Sequence, residues 1–239
     1  MNRIKDYTVV DLEMTGLAAK LDKIIEIGAV KVRDGQIVDT YAMLVNPQIP
    51  VPKKVTELTG ITDEIVSQGE DMDESVGGLI EFIGDDVLVG QNINFDYSFI
   101  KQWAVNHKRT LSLSAYDTLK LARRYLPPEM PKKLENLCAY FGINRENAHR
   151  ALDDAIETQQ IFEKLQDVAI EKGESELTPQ QLAYKAKKQT PATAHQIERL
   201  KEFREAFGIT EPVYWDTLTR SQASRMQDEY ISRYGRLKH

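Results

Sequence analysis

Apolar and polar positions along this chain follow two periods in turn. Residues 7–13 (YTVVDLE) are β-branched and aromatic, with apolar side chains on both faces, the pattern of a strand buried in the middle of a sheet. Residues 24–32 and 36–45 flank Asp34-Gly35, a pair that favours positive φ, so they predict an antiparallel hairpin that extends the first strand into a meander. Pro47, Pro50 and Pro52 break that pattern. Apolar periodicity then predicts helices over 53–59 and 73–83, a short buried strand over 87–90 and a helix over 95–106. A short strand over 114–116 follows, with helices over 117–125, 133–141 and 150–171. This order predicts an α/β fold, a five-stranded mixed sheet flanked by helices.

Gly173 and the polar stretch GESELTPQQ end the long helix and begin a different composition. Two units are expected, 1–173 and 174–239, the second a small helical extension. Thr178-Pro179, Thr193 with Gln196, and Thr219 with Gln222 each have the form of a helix start, the last two in the capping-box pattern. Ile197, Leu200, Phe203 and Phe207 share one helical stripe, as do Ala223, Met226 and Tyr230, with Trp215 between them.

Composition narrows the class. With 41% hydrophobic and 28% charged residues the chain suits a folded globular protein, and no apolar run approaches the roughly 20 residues of a membrane span. The opening MNRIKDYTVVDLE lacks the apolar core of a secretory signal, so a cytoplasmic location and no membrane association are expected. A lone cysteine, Cys138, excludes an internal disulfide framework and an all-cysteine metal site, which leaves oxygen and histidine ligands. In LENLCAYFG it reads as a small apolar residue on a helix face. The net charge of −6 excludes a large basic field. Residues 174–239 hold 11 Lys and Arg against 9 Asp and Glu, leaving 20 against 28 in residues 1–173. That balance favours a local grip on a strand end over a wrap around duplex.

Candidate chemistry starts at Asp11-Leu12-Glu13. Residues two apart on a strand share a face, so both carboxylates project together from the sheet, which is costly unless a cation neutralises them. One such triplet also arises by chance. Asp96, in Asn94-Phe95-Asp96 after the apolar VLVGQ, suits a helix cap, a role compatible with metal ligation. His149 and Asp154 are five residues apart, about 140° on a helix, so they share a site only if His149 lies on the loop before the helix, where Asn147 fits. His149 otherwise reads as a solvent-exposed helix-start residue, as do His107, His195 and His239, which have no acidic partner at useful spacing.

Taken in order, Asp-x-Glu with Thr15-Gly16, then Asn-Phe-Asp, then His-x-Ala-x-x-Asp resembles the DEDD exonucleases of the histidine subclass, DnaQ-like 3′→5′ exonucleases. Within them the chain looks most like the proofreading exonucleases of bacterial DNA polymerase III. The resemblance covers roughly residues 6–168 and includes IIEIGAVKV, LTGIT at 58–62 and Phe99, with no departure at the five motif positions. It implies a ribonuclease H-like fold and two divalent cations. Asp11, Glu13 and Asp154 would hold one, with Asp11 shared by the second, which Asp96 would support directly or through water, and His149 would be the general base. It also implies that Met14, Thr15, Gly16 and Phe99 form the pocket for the terminal sugar and base. Asp153 is assigned only a surface or supporting place. Four carboxylates suit Mg2+ or Mn2+, and zinc is a poorer match.

The expected substrate is a single-stranded or frayed 3′ end of DNA. RNA trimming and a non-catalytic scaffold are the competing readings. A DNA polymerase or clamp partnership and a stand-alone repair or end-trimming role are both compatible with the sequence.

Overall fold

The computed structural model describes residues 1–145 and 148–237. Six strands form one mixed sheet: β1 (Tyr7–Met14), β2 (Ile24–Arg33), β3 (Gln36–Leu44), β4 (Leu88–Gly90), β5 (Ser114–Asp117) and β6 (Gln180–Gln181). Their order is β3-β2-β1-β4-β5-β6. β1 pairs antiparallel with β2 and parallel with β4, and β5 continues the parallel set. Asp34 and Gly35 take φ of 48° and 77° and close the β2–β3 hairpin, the left-handed conformation that an Asp-Gly pair adopts most easily.

Both faces of the sheet are covered by helices. These are α1 (Lys53–Thr59), α2 (Asp63–Val66), α3 (Met72–Ile83), α4 (Asn94–Asn106), α5 (Thr118–Tyr125), α6 (Leu134–Phe141) and α7 (Ala151–Glu171). Because a strand points successive side chains to opposite faces, β1 feeds two cores. Tyr7 and Val9 pack with Val30, Val89 and Phe162 of α7, where the Tyr7 and Phe162 rings meet edge to face at 5.1 Å. Val10, Leu12 and Met14 pack on the other side with Leu79 of α3 and Ile100 of α4. Full burial of a side chain such as Phe162 contributes about 1.5–3 kcal/mol.

Beyond α7 the chain runs as an extended strap and then forms α8 (Ala194–Phe207) and α9 (Arg220–Tyr234). Both helices begin in complete capping boxes, Thr193 with Gln196 and Thr219 with Gln222. They share a hydrophobic cluster of their own around Leu200, Phe203, Ala223 and Tyr230, with Phe207, Trp215 and Met226 against it. Ile197 is half-buried and lies outside that cluster.

The structure departs from the sequence pattern in three places. A sixth strand, β6, pairs antiparallel with β5, so the sheet is not five-stranded. Thr178-Pro179 starts no helix, because the backbone that follows is drawn to the sheet edge: Leu182 N–H donates to Leu113 O at 2.9 Å and Ala183 N–H to Asn94 Oδ1 at 3.1 Å. The short α2 adds a helix between the two expected there, capped by Thr62, whose hydroxyl accepts from Ile65 N–H.

Candidate active site

Along the face of β1 that looks toward α7 the residues run Tyr7, Val9, Asp11, Glu13. The switch from apolar to acidic falls where the neighbouring strand ends. β4 pairs with β1 only as far as Val9 and Val89, so Asp11 and Glu13 stand beyond it, at the carboxyl ends of two parallel strands. There, open α/β sheets leave a crevice that can admit a ligand. The chain leaves β4 through Asn92, at φ 59°, whose N–H donates to Asp117 Oδ1 at 3.1 Å. It then begins α4, whose first turn carries Asp96 to the side of β1. Asp96, 5% exposed, accepts the Leu12 N–H at 3.1 Å, so this acid is oriented by the strand that bears the other two.

The fourth acid depends on how α7 meets β2. Gly28, paired with Asp11 across the strands, has no Cβ, and one placed there would lie 2.1 Å from the carbonyl carbon of Ala151. Two residues earlier, the Glu26 carboxylate accepts the Ala151 N–H at 2.9 Å and binds the Arg150 guanidinium. An acid at a helix N-terminus satisfies an orphan donor and meets the positive end of the helix dipole. So IIEIG is both a strand and the seat for a helix. Asp154, 6% exposed, lies in the first turn of α7. His149 sits before the helix at φ 64°, a left-handed conformation uncommon outside glycine. This bend removes the 140° separation, and ligand atoms of Glu13, His149 and Asp154 lie within 4.8 Å of one another.

Asp11, Glu13, Asp96, His149 and Asp154 line one open cleft of about 350 Å³. The crowding is costly. Burial, followed by Asp96, Asp154, Glu13 and Glu26, pushes the Asp11 carboxyl well above the ordinary range. Burial and then Asp154, Glu26 and Asp96 push Glu13 up to about 8. Asp96 is raised to about 7 by burial, against the pull of its own N–H and that of Leu12. Asp154 is also raised by burial, with Arg145 and His149 pulling the other way. Four acids held against their own repulsion are a donor set that fits hard divalent cations, which would relieve it.

Other residues of the cleft were not singled out by spacing. Arg145 places Nη2 2.7 Å from Asp154 Oδ1 and Nε 2.8 Å from Glu157 Oε2. It comes from the segment between α6 and α7, where no periodicity points at the site. Leu12, Leu58, Phe95 and Leu134 supply an apolar wall. Leu58 and Phe95 stand inside LTGIT and Asn-Phe-Asp, and Leu58 is 57% exposed, so the available signal was an apolar residue within a motif.

Met14, Thr15, Gly16 and Phe99 do not line this cleft. Met14 has the parity of Val10 and Leu12 and joins the opposite core. Thr15 pins the loop after β1, its hydroxyl accepting from Lys23 N–H at 2.9 Å. Gly16 leaves room for the Asp22 carboxylate, which accepts from Ala18 N–H. Phe99 is buried against Phe95, ring centroids 5.6 Å apart. Asp153 is half-buried and off the cleft. Cys138 is buried in α6 among Leu137, Ile161 and Leu165. His107 does have an acidic partner, contrary to its sequence context: Asp73 Oδ1 of α3 lies 3.0 Å from its Nε2, a contact across 34 residues. His195 is exposed on α8. Asn147 and His239 lie outside the described residues.

Known proteins resemble this chain in sequence and in fold. The RNase T-type family model described as Exonuclease matches residues 8–162. A DNA polymerase III PolC-type of Clostridium perfringens is 46% identical over 158 residues, 66% of this chain and 11% of that protein. That of Bacillus subtilis is 38% identical over 172 residues, 70% of this chain and 12% of the relative. The chain thus spans only about a tenth of these relatives' length. Among solved structures, E. coli Exonuclease I in complex with a dT13 oligonucleotide superposes with a TM-score of 0.60 at 18% identity, over 70% of this chain and 42% of that one. The nuclease domain of 3′hExo, a DEDDh family member bound to rAMP, gives 0.60 at 18% identity, over 75% and 98%. These two share the ribonuclease H-like fold. The chain therefore belongs to the exonuclease family, as a member of its DnaQ-like 3′→5′ branch.

Proposed function

We propose that this exonuclease removes nucleotides from the single-stranded or frayed 3′ end of DNA and releases nucleoside monophosphates, using two divalent cations, Mg2+ or Mn2+. The observation that carries this reading is the convergence of four acids and one imidazole, from β1, α4 and the start of α7, on one open cleft. Asp11, Glu13 and Asp154 would hold one cation, and Asp11 with Asp96 the other. Bound there, such ions neutralise phosphoryl charge and sharpen a water nucleophile.

The chain's own residues do the rest. His149, held clear of α7 by its left-handed backbone, presents its imidazole to the proton that the attacking water must lose. Asp154 lies beside it, with ligand atoms of the two and of Glu13 within 4.8 Å of one another. Leu58, Phe95 and Leu134 offer apolar surface to the terminal base and sugar. Arg145 spans Asp154 and Glu157, fixing the first turns of α7 against the site.

The relatives carry DNA polymerase III in their names, which supports DNA as substrate and association with a polymerase; proofreading or repair in the cytoplasm, with a clamp as a further partner, belongs to the same proposal. The test is hydrolysis of a 5′-labelled oligonucleotide offered as single-stranded DNA, as duplex DNA with a mismatched 3′ end, and as RNA, under Mg2+ and Mn2+. A ladder shortening from the 3′ end, with mononucleotide product and DNA preferred, is the expected result. Preference for RNA would transfer the assignment to RNA trimming, and no cleavage of any strand would end it.

A further inference from the structure

A second groove lies outside the candidate catalytic residues. The loop after β1, the strap before α8 and the start of α9 enclose about 840 Å³ of open space, lined among others by Lys20, Tyr184, Arg220, Ser221, Ser224 and Arg225. Its walls are tied to one another. Gln222 Nε2 donates to Leu21 O at 3.0 Å, Arg220 N–H to Thr190 O at 2.9 Å, and Arg225 Nη1 pairs with Asp22 Oδ1 at 2.9 Å. Gln189 Nε2 reaches Lys20 O, while Gln102 Nε2 holds Lys187 O at 2.8 Å. Three remote segments are thus fixed in one shape.

The charge in this groove is unbalanced. Lys20 and Arg220 are exposed, and neither side chain has an ion pair or hydrogen bond among the described residues. The same holds for Lys185, Lys187 and Lys188, which follow Tyr184 along the strap. On the groove wall itself Lys20 and Arg220 stand with one unpaired acid, Asp228, while Arg225 is paired with Asp22 behind it. A concentration of unpaired cations on a chain of net charge −6 is complementary to a polyanion. Tyr184 adds an aromatic side chain, and Ser221 and Ser224 add hydroxyls. Cations along a groove with an aromatic platform are what a single nucleic-acid strand requires, whereas an acidic protein surface has no need of the ring. The groove also starts in the right place, because its Ala18–Leu21 wall belongs to the loop that directly follows Glu13 and Met14.

We propose that the extension over 174–239 forms a strand-holding groove. It would bind the phosphate backbone of single-stranded nucleic acid upstream of the 3′ terminus, while the cleft at Asp11 takes the end itself. The role in exonuclease action rests on the function proposed above, but binding can be measured without it.

The test is the full-length triple variant Lys20→Ala, Lys185→Ala, Arg220→Ala. All three positions are exposed, and an unchanged Tm will confirm an intact fold. Binding of a fluorescein-labelled 20-mer of single-stranded DNA is followed by anisotropy in EDTA across a KCl series. Each lost phosphate contact on a single strand lowers the salt slope by about 0.7, so the slope should fall by about 2 and affinity at ~0.1 M salt by at least tenfold. Where Mg2+ supports cleavage, the ratio of kcat/KM for a 20-mer over a dinucleotide should fall at least tenfold. A salt slope and affinity unchanged in the triple variant would overturn the groove, and would be the outcome if its partner were an acidic protein. Loss of hydrolysis by the unmodified chain, with binding intact, would instead count against the catalytic reading alone.

Discussion

Residues 1–173 hold 28 acids against 20 bases and bring four of those acids to one point, while residues 174–239 hold 11 bases against 9 acids and leave several cations unpaired around a groove. The two arrangements differ in how they are built. The acids ride on a central strand and on helix starts locked by a missing Cβ and a buried carboxylate, so their positions are set to within a side chain's reach. The cations ride on a strap held mainly by side-chain hydrogen bonds and on a helix pair with its own small core. Buried, crowded charge suits chemistry at one bond, and exposed, unpaired charge suits a polymer whose contacts repeat.

The sharpest way to break this comparison is at Asp11. Asp11→Asn should lower kcat/KM on a DNA strand by several orders of magnitude, yet raise the Tm measured in EDTA, because it removes a carboxylate that burial and then its acidic neighbours push well above the ordinary range. Near-normal cleavage at saturating Mg2+ would contradict the shared-ligand role. Next in size, His149→Ala should reduce single-turnover cleavage by about 10²–10⁴ with strand affinity nearly unchanged. Equal rates in the two proteins would remove the imidazole from the mechanism.

Two substitutions separate the regions by stability. Phe203→Ala, in the cluster of α8 and α9, should cost about 3–5 kcal/mol locally. Hydrogen exchange should then quicken over α8 and α9 while β1 to β5 stay protected, and a uniform loss of protection would show one cooperative unit. Gly28→Ala should cost about 1–3 kcal/mol by forcing α7 off β2. At roughly 2–4 °C per kcal/mol, the loss will be visible as a lower Tm, and it should carry a loss of cleavage because His149 and Asp154 move with the helix start.

The metal-free protein should also respond to pH. Glu13 is raised to about 8 and Asp96 to about 7, so the folded state binds protons that the unfolded chain has released. Stability should therefore fall as pH rises from about 5 to about 8.5, and the Tm gain on adding Mg2+ should grow over the same window. A Tm in EDTA that rises with pH in that range would contradict the crowding of acids in the cleft.

Much of this was legible in the chain. The meander, its Asp-Gly turn, the two capping boxes and the shared face of Asp11 and Glu13 follow from neighbours one to four residues apart. The same reasoning required His149 to lie before its helix, and there it lies. It could not see Asp73 beside His107, Arg145 against Asp154, or the strand at Gln180–Gln181, because each joins residues with no common period.

The sequence by itself thus determined which segments become strands and helices and which residue types are present for hydrolysis, since hydrogen-bond geometry and side-chain period act locally. Only the tertiary structure decided that β4 stops short of Asp11, that Gly28 seats α7, and that Lys20 and Arg220, 200 residues apart in the chain, line one groove. Such contacts arise when buried surfaces find their partners, and no spacing along one segment encodes which distant surface that will be.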